Sequence, residues 1–222
     1  MEKFIFVFIL LTNMALAQDL EIEIPSSKIV LRSENRSNLC YKIKNNSTKY
    51  YKILADSTGF STAENEVIDE PYLGLLNLRI FDGEQLLAPI SGSHAYEKNP
   101  KEINPTDKEL ITFKDLHQLN PKNISELYIF YKIYYRSIYI PPKKSTVVCT
   151  KISLPIYNSA ADDGSLFYDI KSKREYDLQL HLNIPSKMLK KYSKVFNQGP
   201  KKYKIFSGEI ISNKVSITLK DE

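Results

Sequence analysis

The sequence predicts an all-β protein folded as an antiparallel two-sheet sandwich. Apolar and polar residues alternate with period two along most of the chain, and the runs are short and end at Pro, Asn or Gly. Only one stretch carries clear helical spacing. The chain has 222 residues, enough for a full core in one domain.

The N-terminus has a separate job. Glu2 and Lys3 precede the apolar run 4–11, and Ala15-Leu16-Ala17 is a small-x-small cleavage site before Gln18. That order is expected of a secretory signal peptide, cut after Ala17. The run is too short to span a bilayer, which needs about 20 residues. No later run is longer, so the mature chain 18–222 is expected to have no transmembrane span and to be secreted or periplasmic.

From Leu20 the pattern becomes strand-like. Leu20, Ile22 and Ile24 alternate with Glu21 and Glu23, Pro25 interrupts, and 28–31 resumes. Leu39, Tyr41 and Ile43 share a face, Asn45-Asn46-Ser47 turns the chain, and 50–54 is a third strand. Residues 56–125 read as a long, partly irregular insertion into a core formed by 18–55 and 126–222. The insertion holds an acidic stretch (Glu64, Glu66, Asp69, Glu70), one clear strand at 76–81 with an Asp82-Gly83 turn, a polar loop, and spaced apolar residues around Pro121. Loops this long are usually functional or disordered. A Tyr-rich strand is expected at 127–140, followed by strands at 145–154, 176–184 and 208–219. Before the last strand, Met188, Leu189, Tyr192, Val195 and Phe196 mark one face of an amphipathic helix. Ser186 is its expected N-cap, and Gly199-Pro200 its stop.

The succession of the last strands resembles the E, F and G strands of immunoglobulin-like sandwiches. The resemblance is one of pattern and implies an immunoglobulin-like antiparallel two-sheet sandwich with one short helix before the last strand. No Trp is present to mark an antibody-type domain.

Two cysteines in an exported chain are expected to form a disulfide. Core-facing Leu39 and Tyr41 turn Cys40 outward, and core-facing Val148 and Ile152 turn Cys149 outward. On neighbouring B and E strands the two can bridge if their Cα atoms lie within about 7 Å.

Motifs for catalysis are sparse. His94, His117 and His181 have no metal-ligand spacing. Asp162, Asp163 and Asp169 form a weak calcium candidate, equally explained by a Gly-containing turn. No nucleophile elbow, P-loop or dinucleotide fingerprint is present, and no cofactor is implied. Four Asn-x-Ser/Thr sequons, at Asn35, Asn45, Asn46 and Asn123, fit an Asn-rich composition.

Two features point to binding. On the expected strand 128–140, Tyr128, Phe130, Lys132, Tyr134 and Arg136 form one face, with Ile129, Tyr131, Ile133 and Tyr135 turned to the core. The insertion's Leu110, Ile111, Phe113, Leu116 and Leu119 also need a surface to cover, and this face is the expected one. The second feature is a basic stretch of Lys187, Lys190, Lys191, Lys194, Lys201, Lys202 and Lys204. An alternating lysine face on a helix is usually its solvated side, yet it also suits an anionic partner. The net charge is +5, with 31 Lys and Arg against 26 Asp and Glu. Lys, Asn and Ile are the residues of an AT-rich genome, so part of this charge reflects codon usage.

The functional expectation is an exported, non-enzymatic sandwich that binds a protein or an anionic envelope polymer, with nucleic acid excluded by export and scarce Arg. The rival is a secreted hydrolase, or an accessory module of one, with its site in 56–125.

Overall fold

The structure, a computed structural model, describes residues 18–32, 37–62, 70–92, 105–152, 156–157, 166–172 and 174–220. The expected signal peptide, His94, Asn35, Asp162 and Asp163 lie outside the described residues.

The chain is mostly β, with several sheets and few helices. One sheet has the order β1 (Leu20–Glu23), β3 (Ser37–Asn45), β10 (Ser145–Ile152), all antiparallel. The largest sheet runs β2 (Lys28–Arg32), β16 (Val215–Lys220), β13 (Glu175–Ile184), β6 (Leu75–Asp82), β5 (Asp56–Thr62). Its outer pairs, β2–β16 and β5–β6, are parallel; its inner pairs are antiparallel. Two short strands extend it, β15 (Gly208–Ile211) on β13 and β7 (Gln85–Leu86) on β6.

Strict alternation makes these sheets two-faced. Along β3 every second residue, Leu39, Tyr41 and Ile43, is buried; along β13 Tyr176, Leu178, Leu180, Leu182 and Ile184 are. Both sets belong to one hydrophobic core shared between the sheets. The first strand leaves one sheet for the other at Pro25, which has no N–H to pair. There the Asn213 side chain replaces a strand, accepting from Ile24 N at 2.8 Å and donating to Ile24 O at 3.1 Å.

A third sheet has the order β14 (Tyr203–Ile205), β4 (Tyr50–Leu54), β9 (Ser137–Ile140). A fourth joins β11 (Ile156–Tyr157), β12 (Leu166–Tyr168) and β8 (Ile90–Ser91). The helices are α1 (Asp107–Leu116), α2 (Ile124–Arg136), α3 (Ser186–Lys191) and α4 (Ser193–Phe196).

Four expectations change. The long strand at 127–140 is helix α2 followed by the four-residue β9. Asn123 caps α2 by accepting from Glu126 N at 2.9 Å, and Leu127, Phe130 and Ile133 then recur at helical spacing. The Tyr- and Ile-rich composition suits a strand, but capping and packing select the helix. The stretch 56–125, expected as an insertion, supplies β5 and β6 to the largest sheet, and β6 pairs directly with β13. Its helix α1 starts at a full capping box, in which Thr106 Oγ1 accepts from Glu109 N and Glu109 Oε2 accepts from Thr106 N.

The single helix after β13 is two, broken at Tyr192, and Pro185 takes the N-cap position in place of Ser186. Of its expected core face, Met188, Tyr192, Val195 and Phe196 are buried and Leu189 is half-buried against the core. The last strand is split at Ser212–Lys214 into β15 and β16.

A candidate binding face of tyrosine and lysine

The three-stranded sheet β14-β4-β9 has two unlike faces. Strand registers place Tyr203 opposite Tyr50 and Tyr139 opposite Lys52, so all four side chains share one face. Tyr51 and Ile53 point the other way, into the core. On the open face the rings of Tyr139 and Tyr203 meet edge to face with centroids 4.9 Å apart; Tyr50 and Tyr203 do the same at 5.2 Å. Tyr139 keeps 37 % of its surface exposed, and Tyr50 and Tyr203 are half-buried. Lys202, in the turn before β14, holds its ammonium 4.5 Å from the Tyr50 centroid and 5.6 Å from that of Tyr203.

Beside the tyrosines on this face, under the end of α4, lies a buried cation. Lys52 Nζ donates to the carbonyls of Phe196 at 2.9 Å, Gln198 at 3.1 Å and Val195 at 3.4 Å, closing the C-terminus of α4. It sits 5.7 Å from the Tyr139 ring centroid. Burial pushes its pKa down to about 8. Gly199 fixes the platform from the side. Its φ is +106°, and a Cβ there would lie 2.5 Å from Tyr139 Oη. Only glycine lets the chain pass this close to the ring.

Burial, then Tyr134 and Tyr203, raise the Tyr139 phenol above its ordinary pKa. A second aromatic cluster lies on the helices. Tyr134 stacks on His117 at 4.6 Å and on Phe113 at 5.6 Å, and Phe113 also meets Tyr131 at 5.3 Å and Tyr135 at 5.9 Å. Tyr135 is 56 % exposed.

On the opposite face of the small sheet, Tyr51 Oη donates to Asp19, which Lys49 also approaches at 3.3 Å. These two bonds hold the Asp19 carboxyl below its usual range. Lys204 lies on that side, 6.0 Å from the Tyr51 ring centroid.

The binding face expected on 128–136 does not exist as one face, because the segment is helical. Phe130 is buried against Tyr192 at 5.2 Å. Lys132 is buried with Asp56, Nζ to Oδ2 2.9 Å, at the junction of α2 and β5. Burial opposes ionisation of Asp56, but the Lys132 charge and hydrogen bonds from Lys132 and Thr58 hold its pKa below the usual range. Tyr128 and Tyr134 are exposed and Arg136 is half-buried; of these, Tyr134 joins the aromatic cluster on the helices described above.

The basic stretch disperses as well. Lys187, Lys190 and Lys201 are exposed; Lys191 bonds Glu70 and lies 3.8 Å from Glu126; Lys194 donates to the Gln118 carbonyl. Only Lys202 meets the tyrosines on the open face. Asp169 is exposed just after β12. His181 is buried, 3.6 Å from Glu209.

Cys40 and Cys149 are bonded. They stand directly opposite each other on β3 and β10, with Cα atoms 4.1 Å apart. This is near the close spacing, about 4.5 Å, of a non-hydrogen-bonded antiparallel pair. Cys149 is exposed and Cys40 half-buried, the outward orientation that the alternation predicts.

Sequence reasoning missed Tyr50, Tyr139 and Tyr203 as a group. Their strands are brought together by a parallel β4–β14 pairing that carries no local signal; the Lys-Lys-Tyr-Lys run at 201–204 was the nearest clue. No protein-family model matches the chain, and no curated protein shows a significant sequence match to it.

Proposed function

We propose that the chain is an exported, non-enzymatic immunoglobulin-like sandwich that acts by binding a protein or surface polymer at the Tyr50, Tyr139, Tyr203 and Lys202 face. The observation that carries this is the packing of three partly open tyrosines around a lysine on a fixed sheet. Tyrosine supplies contact area at low entropic cost and is enriched at recognition surfaces. Held by Gly199 and by the Lys52-capped helix end, the platform is ordered before any partner arrives.

Export is supported by the signal-like residues 1–17 and by the Cys40–Cys149 bond, which suits an oxidising compartment. The immunoglobulin-like reading is supported by strand order. β1-β3-β10 corresponds to strands A, B and E, and β16-β13-β6 to G, F and C.

Co-sedimentation of the mature chain with insoluble cell-envelope polymer tests the binding role. The wild type is expected in the pellet and Tyr139→Ala/Tyr203→Ala in the supernatant. Equal partition of the two proteins, or a wild type that stays soluble, contradicts it.

A further inference from the structure

The open face of the small sheet is unbalanced in charge. Among the described residues, Lys201 and Lys202 form no ion pair with a carboxylate. Asp19 is engaged by Tyr51 and Lys49 on the far side of this sheet, and Asp56, two residues beyond β4, by Lys132. The exposed ammonium of Lys202 therefore stands on this surface without a carboxylate partner among the described residues, whereas that of Lys52, on the same face, is taken up by three carbonyls at the end of α4. An exposed ammonium without a carboxylate partner attracts anions to the surface around it.

The shape adds a second constraint. The rings lie at 77° and 78° to one another, which makes steps and not one flat apolar plate. A membrane or a hydrophobic protein patch fits continuous aliphatic surface. A pyranose ring fits a step: its C–H face stacks on one phenol ring while its hydroxyls reach a neighbouring phenol oxygen. If the sugar carries a carboxylate, Lys202 is placed to pair with it.

We propose that the Tyr50, Tyr139, Tyr203 and Lys202 face binds a carboxylated polysaccharide of the uronic-acid type. This rests on the binding role given to the same face, and names its ligand class. Lys202 supplies the charge pairing, Tyr139 the principal stacking ring, and Gly199 the close backbone approach that keeps this ring in place.

The test is fluorescence polarisation with labelled oligogalacturonate and its methyl ester, in which each carboxylate is replaced by a neutral ester on the same sugar chain. The acid form is expected to bind, with the ester at least about tenfold weaker and added salt weakening the acid form alone. Lys202→Glu should abolish the preference for the acid form. Tyr139→Ala should weaken both forms by about tenfold or more. Tyr139→Phe, which retains the ring, should bind nearly as the wild type and guards against a folding artefact. Equal binding of acid and ester, or no binding of either, overturns the proposal. So does Tyr139-dependent binding to phosphatidylglycerol vesicles without binding to oligogalacturonate. If oligogalacturonate fails while envelope polymer still sediments the wild type but not Tyr139→Ala/Tyr203→Ala, the face keeps its binding role and only the acidic-sugar assignment falls.

Discussion

Replacing Lys132 by Met should unfold this protein more readily than any surface change, and in a pH-dependent way. The Lys132 and Asp56 side chains are 7 % and 5 % exposed and their charges are 2.9 Å apart. At an effective dielectric near 20 the gross attraction is about 6 kcal/mol, most of which offsets desolvation of the two groups. Removing the cation leaves Asp56 buried with, among the described residues, the bonds from Thr58, and should cost about 3–5 kcal/mol.

The sign of the pH effect follows from the carboxylate. In the wild type its folded pKa lies below the unfolded value of 3.8, so its contribution is present above that value and lost as pH falls through the folded pKa. Without Lys132 the folded pKa lies above the unfolded one. The penalty is then full near pH 7 and shrinks as acid neutralises the group.

Urea unfolding followed by far-ultraviolet circular dichroism measures this, since the chain has no Trp. The gap between wild type and variant should narrow from about pH 7 to about pH 4. Asp56→Asn/Lys132→Met should be less destabilised than the sum of its single variants by about 2 kcal/mol. A variant within about 1 kcal/mol of wild type at neutral pH, or a gap flat with pH, would refute the reasoning.

Three other outcomes follow from the same structure. Cys40→Ser/Cys149→Ser should lose about 2–4 kcal/mol, because the bond closes a sequence separation of 109 residues; unbonded cysteines would show no two-proton mass change on reduction. Gly199→Ala should cost about 1–3 kcal/mol and displace the Tyr139 ring, read from thermal unfolding and from Tyr139 ring signals in NMR spectra. Lys52 has a folded pKa of about 8, below its ordinary 10.5, so its contribution to stability is present above the ordinary value and lost as pH falls through the folded one. The wild type should therefore gain thermal stability relative to Lys52→Met as pH rises between those two values.

What could be read from the sequence was the part set by strict alternation. The residues of β3 and β10 that face the core also set the outward direction of Cys40 and Cys149, so the disulfide and its strands came together. The buried face 188–196 was likewise legible, because helical spacing there has no competing pattern. Residues 127–136 defeated the same logic. Nearly every position is apolar or aromatic, so period two and period 3.6 both fit, and the deciding signal was the cap at Asn123 with Glu126 three residues on. Thr106 and Glu109 carried the same signature for α1. The tyrosine face was illegible for another reason. Tyr50, Tyr139 and Tyr203 are far apart in the chain and meet through strand pairings that depend on the finished core.

The binding role proposed for the open face of the small sheet can be read by amide hydrogen exchange with and without soluble envelope polysaccharide. Protection concentrated in 137–140 and 199–205, and absent in Tyr139→Ala, is the predicted result. Unchanged exchange there, or protection confined to β2 and β10, would contradict it.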